Sequence, residues 1–244
     1  MPGTPDEHRT GARGKPAARW TPVWGPADPR VLRIDFDDDR ERHMAVCVPG
    51  VKRLDDFDCA VSPVAPATVA ALRAGSFIDN GGPVVLLGGS GTGKSHLLIG
   101  TGVAACEAGR AVRYVTAAAL VNELVEAADE KVVARLISRY GRFELLCLDE
   151  LGYLSLDTRG AELLFQVLTE REERASVAVA SNSPFGEWGK TFTDARLAGA
   201  VVDRLTFRAL IVETGDSSYR LASTKQPPTG GPPWPMTHRR VTMA

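Results

Sequence analysis

Apolar residues alternate between two periods along this chain, and only in its middle. Thr68 to Ile78 carries an apolar stripe at helical spacing and predicts an amphipathic helix. Val84-Val85-Leu86-Leu87 is a short, continuous apolar run, the pattern of a strand buried on both faces. His96 to Ala108 then suits a helix, with Gly109 placed to terminate it. Val112–Val115 predicts a second strand, followed by helices at Ala117–Ala128 and Lys131–Tyr140. Glu144–Leu148 is a third strand, Thr158–Arg174 a helix, and Ser176–Ala180 a fourth strand. A helix at Ala195–Thr206 and a strand at Ala209–Glu213 complete the series. Strands separated by helices predict an α/β fold: a parallel sheet covered on both faces, with the third strand expected beside the first.

Neither flank shares this pattern. Met1 to about Gly50 is rich in Pro, Gly and Arg, turns acidic at Asp35-Phe36-Asp37-Asp38-Asp39, and shows no amphipathic period. Residues 1–50 are therefore expected to be mostly disordered or loosely attached, with Trp20 and Trp24 as isolated aromatics. From Thr224 a Pro/Gly-rich tail cannot build a core, which leaves residues 51–223 as the expected domain and 224–244 as a disordered tail.

The chemistry lies behind the first apolar run. Gly88-Gly89-Ser90-Gly91-Thr92-Gly93-Lys94-Ser95 satisfies G-x-x-x-x-G-K-[ST] at every fixed position, between a predicted strand and a predicted helix. Glycines let the backbone curl so that successive N–H groups point at phosphate oxygens, and the helix N-terminus adds partial positive charge. Lys94 is then placed to reach the β- and γ-phosphates of a nucleoside triphosphate, and the Ser95 hydroxyl to ligate Mg²⁺. The third strand exits into Asp149-Glu150. Asp149 is expected to hold Mg²⁺ through its water shell, and Glu150 to orient and deprotonate the attacking water. That glutamate argues for hydrolysis. The fourth strand runs into Ser181-Asn182-Ser183-Pro184, where Asn182 is placed to position the water, although the cluster also suits an ordinary turn. Among the arginines, Arg204 is the strongest candidate for a finger completing a neighbouring subunit's site, ahead of Arg196; either could equally be half of an ion pair.

Composition narrows the surroundings. The chain has 244 residues and a formal net charge of −1, so bulk charge makes no case for nucleic-acid binding. Arg135, Arg139 and Arg142 form a local cationic cluster that suits either phosphate contact or a solvated helix face. Cys47, Cys59, Cys106 and Cys147 show no metal-binding spacing, and Cys106 and Cys147 fall in apolar periods as small buried hydrophobes. No apolar run approaches membrane-spanning length and no signal-peptide pattern opens the chain, so a soluble, cytoplasmic protein without membrane contact is expected.

Taken together, these residues resemble the IstB-like ATPases, helper proteins of insertion-sequence transposition within the AAA+ group that also holds the helicase loader DnaC. The resemblance rests on Leu54-Asp55-Asp56-Phe57-Asp58, the phosphate loop, Thr116 to Leu124, and Leu148-Asp149-Glu150-Leu151-Gly152-Tyr153-Leu154. It continues through Gly160 to Val167, Ser181-Asn182-Ser183-Pro184-Phe185-Gly186-Glu187-Trp188-Gly189, and Asp203-Arg204-Leu205 to Ser218-Tyr219-Arg220-Leu221. It covers about Val51 to Leu221. The resemblance implies a P-loop ATPase of AAA+ type that binds ATP and Mg²⁺, assembles as an ATP-dependent homo-oligomer on double-stranded DNA, and regulates a transposase. It extends the nucleotide contacts to His96, gives Asn182 the first sensor position, and gives Arg220 the second. The family's helical, charged N-terminal region has no counterpart in the Pro/Gly-rich residues 1–50. A DnaC-like helicase loader, or a degenerate nucleotide-binding copy with little hydrolysis, are the alternatives.

Overall fold

The computed structural model describes residues 52–153 and 155–219, together with the backbone of two short strands nearer the N-terminus. Those strands, β1 (Val31–Ile34) and β2 (Met44–Cys47), pair antiparallel. The pattern of residues 1–50 predicts no element there; Val31-Leu32-Arg33-Ile34 and Met44-Ala45-Val46-Cys47 are short apolar runs isolated in a Pro-, Gly-, Arg- and Asp-rich stretch with no helical pattern between them. The rest of the expected disordered N-terminal segment, Trp20 and Trp24, the tail 224–244 and Arg220 lie outside the described residues.

The central sheet follows the alternation closely. Its five strands are β3 (Val84–Leu87), β4 (Val112–Thr116), β5 (Leu145–Asp149), β6 (Ser176–Ser181) and β7 (Leu210–Glu213). All pair in parallel, in the order β4-β5-β6-β3-β7. This corrects the expectation that the third strand lies beside the first: β6 is inserted between β3 and β5. The insertion places three strand exits side by side, carrying the phosphate loop, the Ser181-Asn182 turn and the acidic pair.

The apolar runs make the sheet a divider between two cores. Val84 and Leu86 point into one, packed under α1 (Pro66–Ala74) and α3 (Lys94–Glu107). Val85 and Leu87 point into the other, against α4 (Ala117–Asp129), α6 (Thr158–Arg171) and α7 (Ala195–Thr206), with α5 (Val133–Gly141) packed on α4 and α6. Both faces being covered explains why these strands read as unbroken apolar runs.

Helix ends differ from expectation where local chemistry decides. The single helix expected over Thr68–Ile78 is two, α1 and the one-turn α2 (Ser76–Asp79), because Gly75 between them adopts φ 67°, a left-handed conformation that terminates α1. Pro66 opens α1 at its first turn, where a missing N–H costs nothing. Asp157 caps α6, its carboxylate accepting from the Gly160 N–H at 2.8 Å. That helix ends at Arg171, three residues before the expected Arg174. Arg171 itself turns inward, and its guanidinium donates to the carbonyls of Tyr140, Phe143 and Ser176.

Candidate functional site

Glycines shape the loop after β3, and the segment after β7 closes over it. Gly88 has φ 150°, and a Cβ there would meet the Thr214 hydroxyl at 2.3 Å. Only glycine fits. The Gly89 N–H donates to the Gly215 carbonyl at 2.8 Å and the Tyr219 N–H to the Gly91 carbonyl at 3.0 Å. Beneath the loop the Thr92 and Thr214 hydroxyls share a buried 2.6 Å hydrogen bond; the Gly89 carbonyl lies 2.9 Å from the Thr92 hydroxyl and the Leu87 carbonyl 3.1 Å from that of Thr214, so one hydroxyl donates to the other and the second donates to its carbonyl. The loop is thus stapled to β7 as well as to its own helix.

Lys94 opens α3 with its ammonium turned back into the loop, donating to the carbonyls of Gly88 at 2.7 Å and Gly89 at 2.6 Å. The charge therefore sits in the concavity of the loop. Ser95 and His96 follow on the first turn of α3, and both line the same cleft. The His96 Nε2 hydrogen-bonds to the Arg53 carbonyl at 2.8 Å, and its ring meets Phe57 edge to face at 5.5 Å. Phe57 packs so tightly on Gly93 that a Cβ there would lie 2.8 Å from its ring. The Leu54-Asp55-Asp56-Phe57-Asp58 segment consequently contributes one wall of the cleft, whose volume is about 580 Å³ and whose opposite rim is the Thr214–Tyr219 segment.

At the β5 exit, Asp149 is 4% exposed. Its Oδ2 accepts from the Tyr114 hydroxyl at 2.6 Å and its Oδ1 from the Glu150 N–H at 2.9 Å. Burial, reinforced by the Asp149 charge, holds the Tyr114 phenol well above its ordinary pKa. Both of these donors to Asp149 are neutral. A buried carboxylate held by neutral donors suits the hydration shell of a divalent cation, and the residues present therefore fit Mg²⁺. Among the described residues no cluster of three metal-binding side chains exists. None is needed when phosphates and water supply most of the magnesium ligands. Glu150 is exposed and sits at φ 63°, a conformation that costs a non-glycine residue of order 1 kcal/mol. Glu150 is thus exposed beside an Asp149 that stays buried.

Asn182 lies at the neighbouring β6 exit. Its Oδ1 is buried with no hydrogen-bond partner among the described residues, and a Cβ on Gly152 would lie 2.2 Å from it. The turn after the acidic pair and the turn after β6 are therefore in contact. Trp188 anchors the latter turn: it is buried, donates from Nε1 to the Ser183 carbonyl at 3.1 Å, and packs on Phe185 and Phe192. Residue chemistry alone singles out neither Trp188 nor Tyr114 nor the Thr92–Thr214 pair. A polar-tipped Tyr within a buried strand is the one signal available in the sequence.

The structure does not bring Arg204 to this cleft. Arg204 lines a separate cleft of about 720 Å³ with Pro83 and Leu210, at the opposite end of the sheet. There it pairs with Glu172 at 2.7 Å, donates to Thr169 and lies over the Phe165 ring at 4.5 Å. Arg196 is exposed at the start of α7, and Arg135 and Arg142 are exposed on and just after α5. Arg139 faces Glu123 at 3.8 Å. As expected, Cys106 and Cys147 are buried free thiols, and burial pushes Cys106 up to about 12.

A five-stranded parallel sheet in this order, with a phosphate loop after the interior strand β3 and an acidic pair two strands away, defines a P-loop nucleotide-binding protein. Comparison with known proteins narrows this: residues 33–227 match the family model described as IstB-like ATP binding protein, and the chain belongs to that family. It is 38% identical over 189 residues to an insertion-sequence ATP-binding protein of Sinorhizobium fredii, covering 76% of this chain and 63% of that protein. It is also 36% identical to the IS21 insertion-sequence ATP-binding protein of Pseudomonas aeruginosa, over 73% of this chain and 68% of that protein. The chain thus spans about two thirds of the length of these relatives. Among solved structures, it resembles DnaI (TM-score 0.56, 17% identity, 67% of this chain and 90% of that one) and the DnaC helicase loader (TM-score 0.51, 17% identity, 66% and 96%). At that identity the likeness is one of fold. The chain is accordingly an ATP-binding protein, and among the described residues no helix is long and apolar enough to cross a membrane.

Proposed function

We propose that this protein binds ATP in the cleft behind β3 and hydrolyses it with Mg²⁺, and that it uses the nucleotide cycle to assemble copies of itself on double-stranded DNA and regulate a transposase. The observation that carries hydrolysis is the β5 exit: a buried Asp149 beside an exposed Glu150, next to the Asn182 turn and one strand further from the phosphate loop. The loop N–H groups and Lys94 bind the β- and γ-phosphates once the ammonium swings from the Gly88 and Gly89 carbonyls to phosphate oxygens. The Ser95 hydroxyl and Asp149 would hold Mg²⁺, which supplies neutralisation of phosphate charge when bound. Glu150 accepts the proton of the attacking water, and the Asn182 amide orients that water. His96, which lines the cleft, and Arg220 complete the nucleotide contacts in this reading. Family membership supports the DNA and transposase parts, since the relatives are insertion-sequence ATP-binding proteins. A helicase-loader reading would rest on fold likeness alone.

Steady-state ATP turnover with and without duplex DNA is the test. Wild-type turnover lost in Glu150→Gln, with ATP binding retained, is the expected result. Absence of turnover in the wild type under both conditions would sink the hydrolytic reading.

A further inference from the structure

Tyr114 stands on β4, the edge strand beside β5, in register with Cys147 and two residues short of the Thr116–Asp149 pair. Side chains alternate faces along a strand, so Val112 and Tyr114 share a face with Leu145 and Cys147, the face covered by α3. From there the ring runs diagonally along the sheet, within reach for a long aromatic side chain. Its body is core, packed among apolar residues, and its hydroxyl ends on Asp149 Oδ2 at 2.6 Å. A neutral donor bound to a carboxylate is a strong hydrogen bond and fixes the angle of the acceptor plane. The Glu150 N–H fixes the other oxygen, so the carboxylate is held at both ends. Each oxygen keeps a further lone pair for a metal-bound water.

We propose that Tyr114 is a positioning residue that holds the Asp149 carboxylate in the orientation that receives the hydrated Mg²⁺ of the bound nucleotide, and so sets how strongly the site favours Mg²⁺–ATP over free ATP. This rests on the Mg²⁺-dependent reading of the site. Partners of metal-ligating carboxylates typically change metal affinity about 10- to 100-fold when removed. Tyr114→Phe keeps the buried ring and deletes only the hydroxyl.

The experiment is a pair of binding titrations on the full chain with a fluorescent, non-hydrolysable ATP analogue, one in excess EDTA and one as a function of Mg²⁺. For Tyr114→Phe, the EDTA titration is expected to match wild type, while the Mg²⁺ midpoint rises about 10-fold. In an Asp149→Asn background the same substitution is expected to add nothing, because the two residues act through one contact. Equal weakening with and without metal would mark Tyr114 as merely structural and overturn the proposal. So would an unshifted midpoint in a variant whose wild-type parent gains affinity with Mg²⁺, and in that case the nucleotide reading stands. A wild type indifferent to Mg²⁺ removes both. Should Tyr114→Phe fail to fold, Tyr114→Leu carries the same two titrations.

Discussion

Single residues at the strand exits show how little room the site leaves. Gly152 follows Glu150 in a short turn, and a methyl group there would meet Asn182 Oδ1 at 2.2 Å, Ser181 Oγ at 2.8 Å and the Ser183 nitrogen at 2.9 Å. Two of these neighbours are a backbone atom and a side chain held by its own hydrogen bonds, so neither yields easily. Gly152→Ala is therefore expected to push the β6 exit away from the acidic pair. Turnover should fall by at least roughly tenfold while nucleotide affinity, which depends on the loop after β3, changes little. Unchanged kcat in that variant would show that the two exits need not touch. Arg171 makes a second case. It is 1% exposed, and burial lowers its pKa to about 10, yet it has no carboxylate partner among its hydrogen bonds. Its value lies in the three carbonyls it satisfies, those of Tyr140, Phe143 and Ser176. Arg171→Ala strands those acceptors and opens a cavity, an expected loss of about 3 to 5 kcal/mol measurable by urea unfolding. A loss near zero would mean that water replaces the guanidinium.

At the scale of elements, backbone conformation explains where helices stop. Gly75 separates α1 from α2 at φ 67°, with ordinary clearance for an added methyl: Ile78 Cδ1 would lie 3.6 Å away. Gly75→Ala is then a purely conformational change, expected to cost about 1 kcal/mol and about 2 to 4 °C in Tm without touching ATP affinity. Calorimetry with and without nucleotide checks both halves. This glycine also shows what was legible in the sequence and what was not. The apolar stripe over Thr68–Ile78 is continuous through Gly75, so periodicity alone joins two helices that a left-handed residue separates. The place of the glycine-rich loop between β3 and α3, and of Asp149-Glu150 at the end of β5, was legible because each is a fixed spacing of residue types flanked by apolar runs. Strand order was not: β6 lies between β3 and β5 through long-range pairing, and nothing in Val177-Ala178-Val179-Ala180 names its neighbours. The same holds for Tyr114 and Thr92, whose roles come from hydrogen-bond partners 35 and 122 residues away in the chain.

For the whole molecule, buried titratable groups set the alkaline limit. Burial raises Cys106 to about 12 and Tyr140 to about 12, and raises Cys147 as well. Each group's folded-state pKa lies above its unfolded value, so the folded state holds protons that the unfolded chain releases. The stability this represents is fully present below about pH 9 and is lost as pH climbs from there toward 12. Tm should decline progressively above about pH 9, and alkylation at about pH 8 should spare Cys106 and Cys147 until denaturant is added. Rapid labelling of either thiol in the native protein would contradict their burial. The sheet also has a cleft at each end, and this separation yields the sharpest test of assembly. The phosphate loop follows the C-terminal end of β3, whereas Arg204 shares a cleft with Pro83, at the N-terminal end of the same strand. No side chain spans that distance within one subunit. If Arg204 serves hydrolysis, it must do so for a neighbouring copy, after exchanging Glu172 for a phosphate oxygen. Lys94→Ala and Arg204→Ala are then each expected to be inactive alone, because one lacks the site and the other the finger. Mixed in equal amounts, they should regain roughly a quarter of wild-type turnover, the fraction of head-to-tail interfaces that pair an intact loop with an intact arginine. A mixture no more active than its components would return Arg204 to the role its contacts already show, a packed ion pair holding α7 on α6.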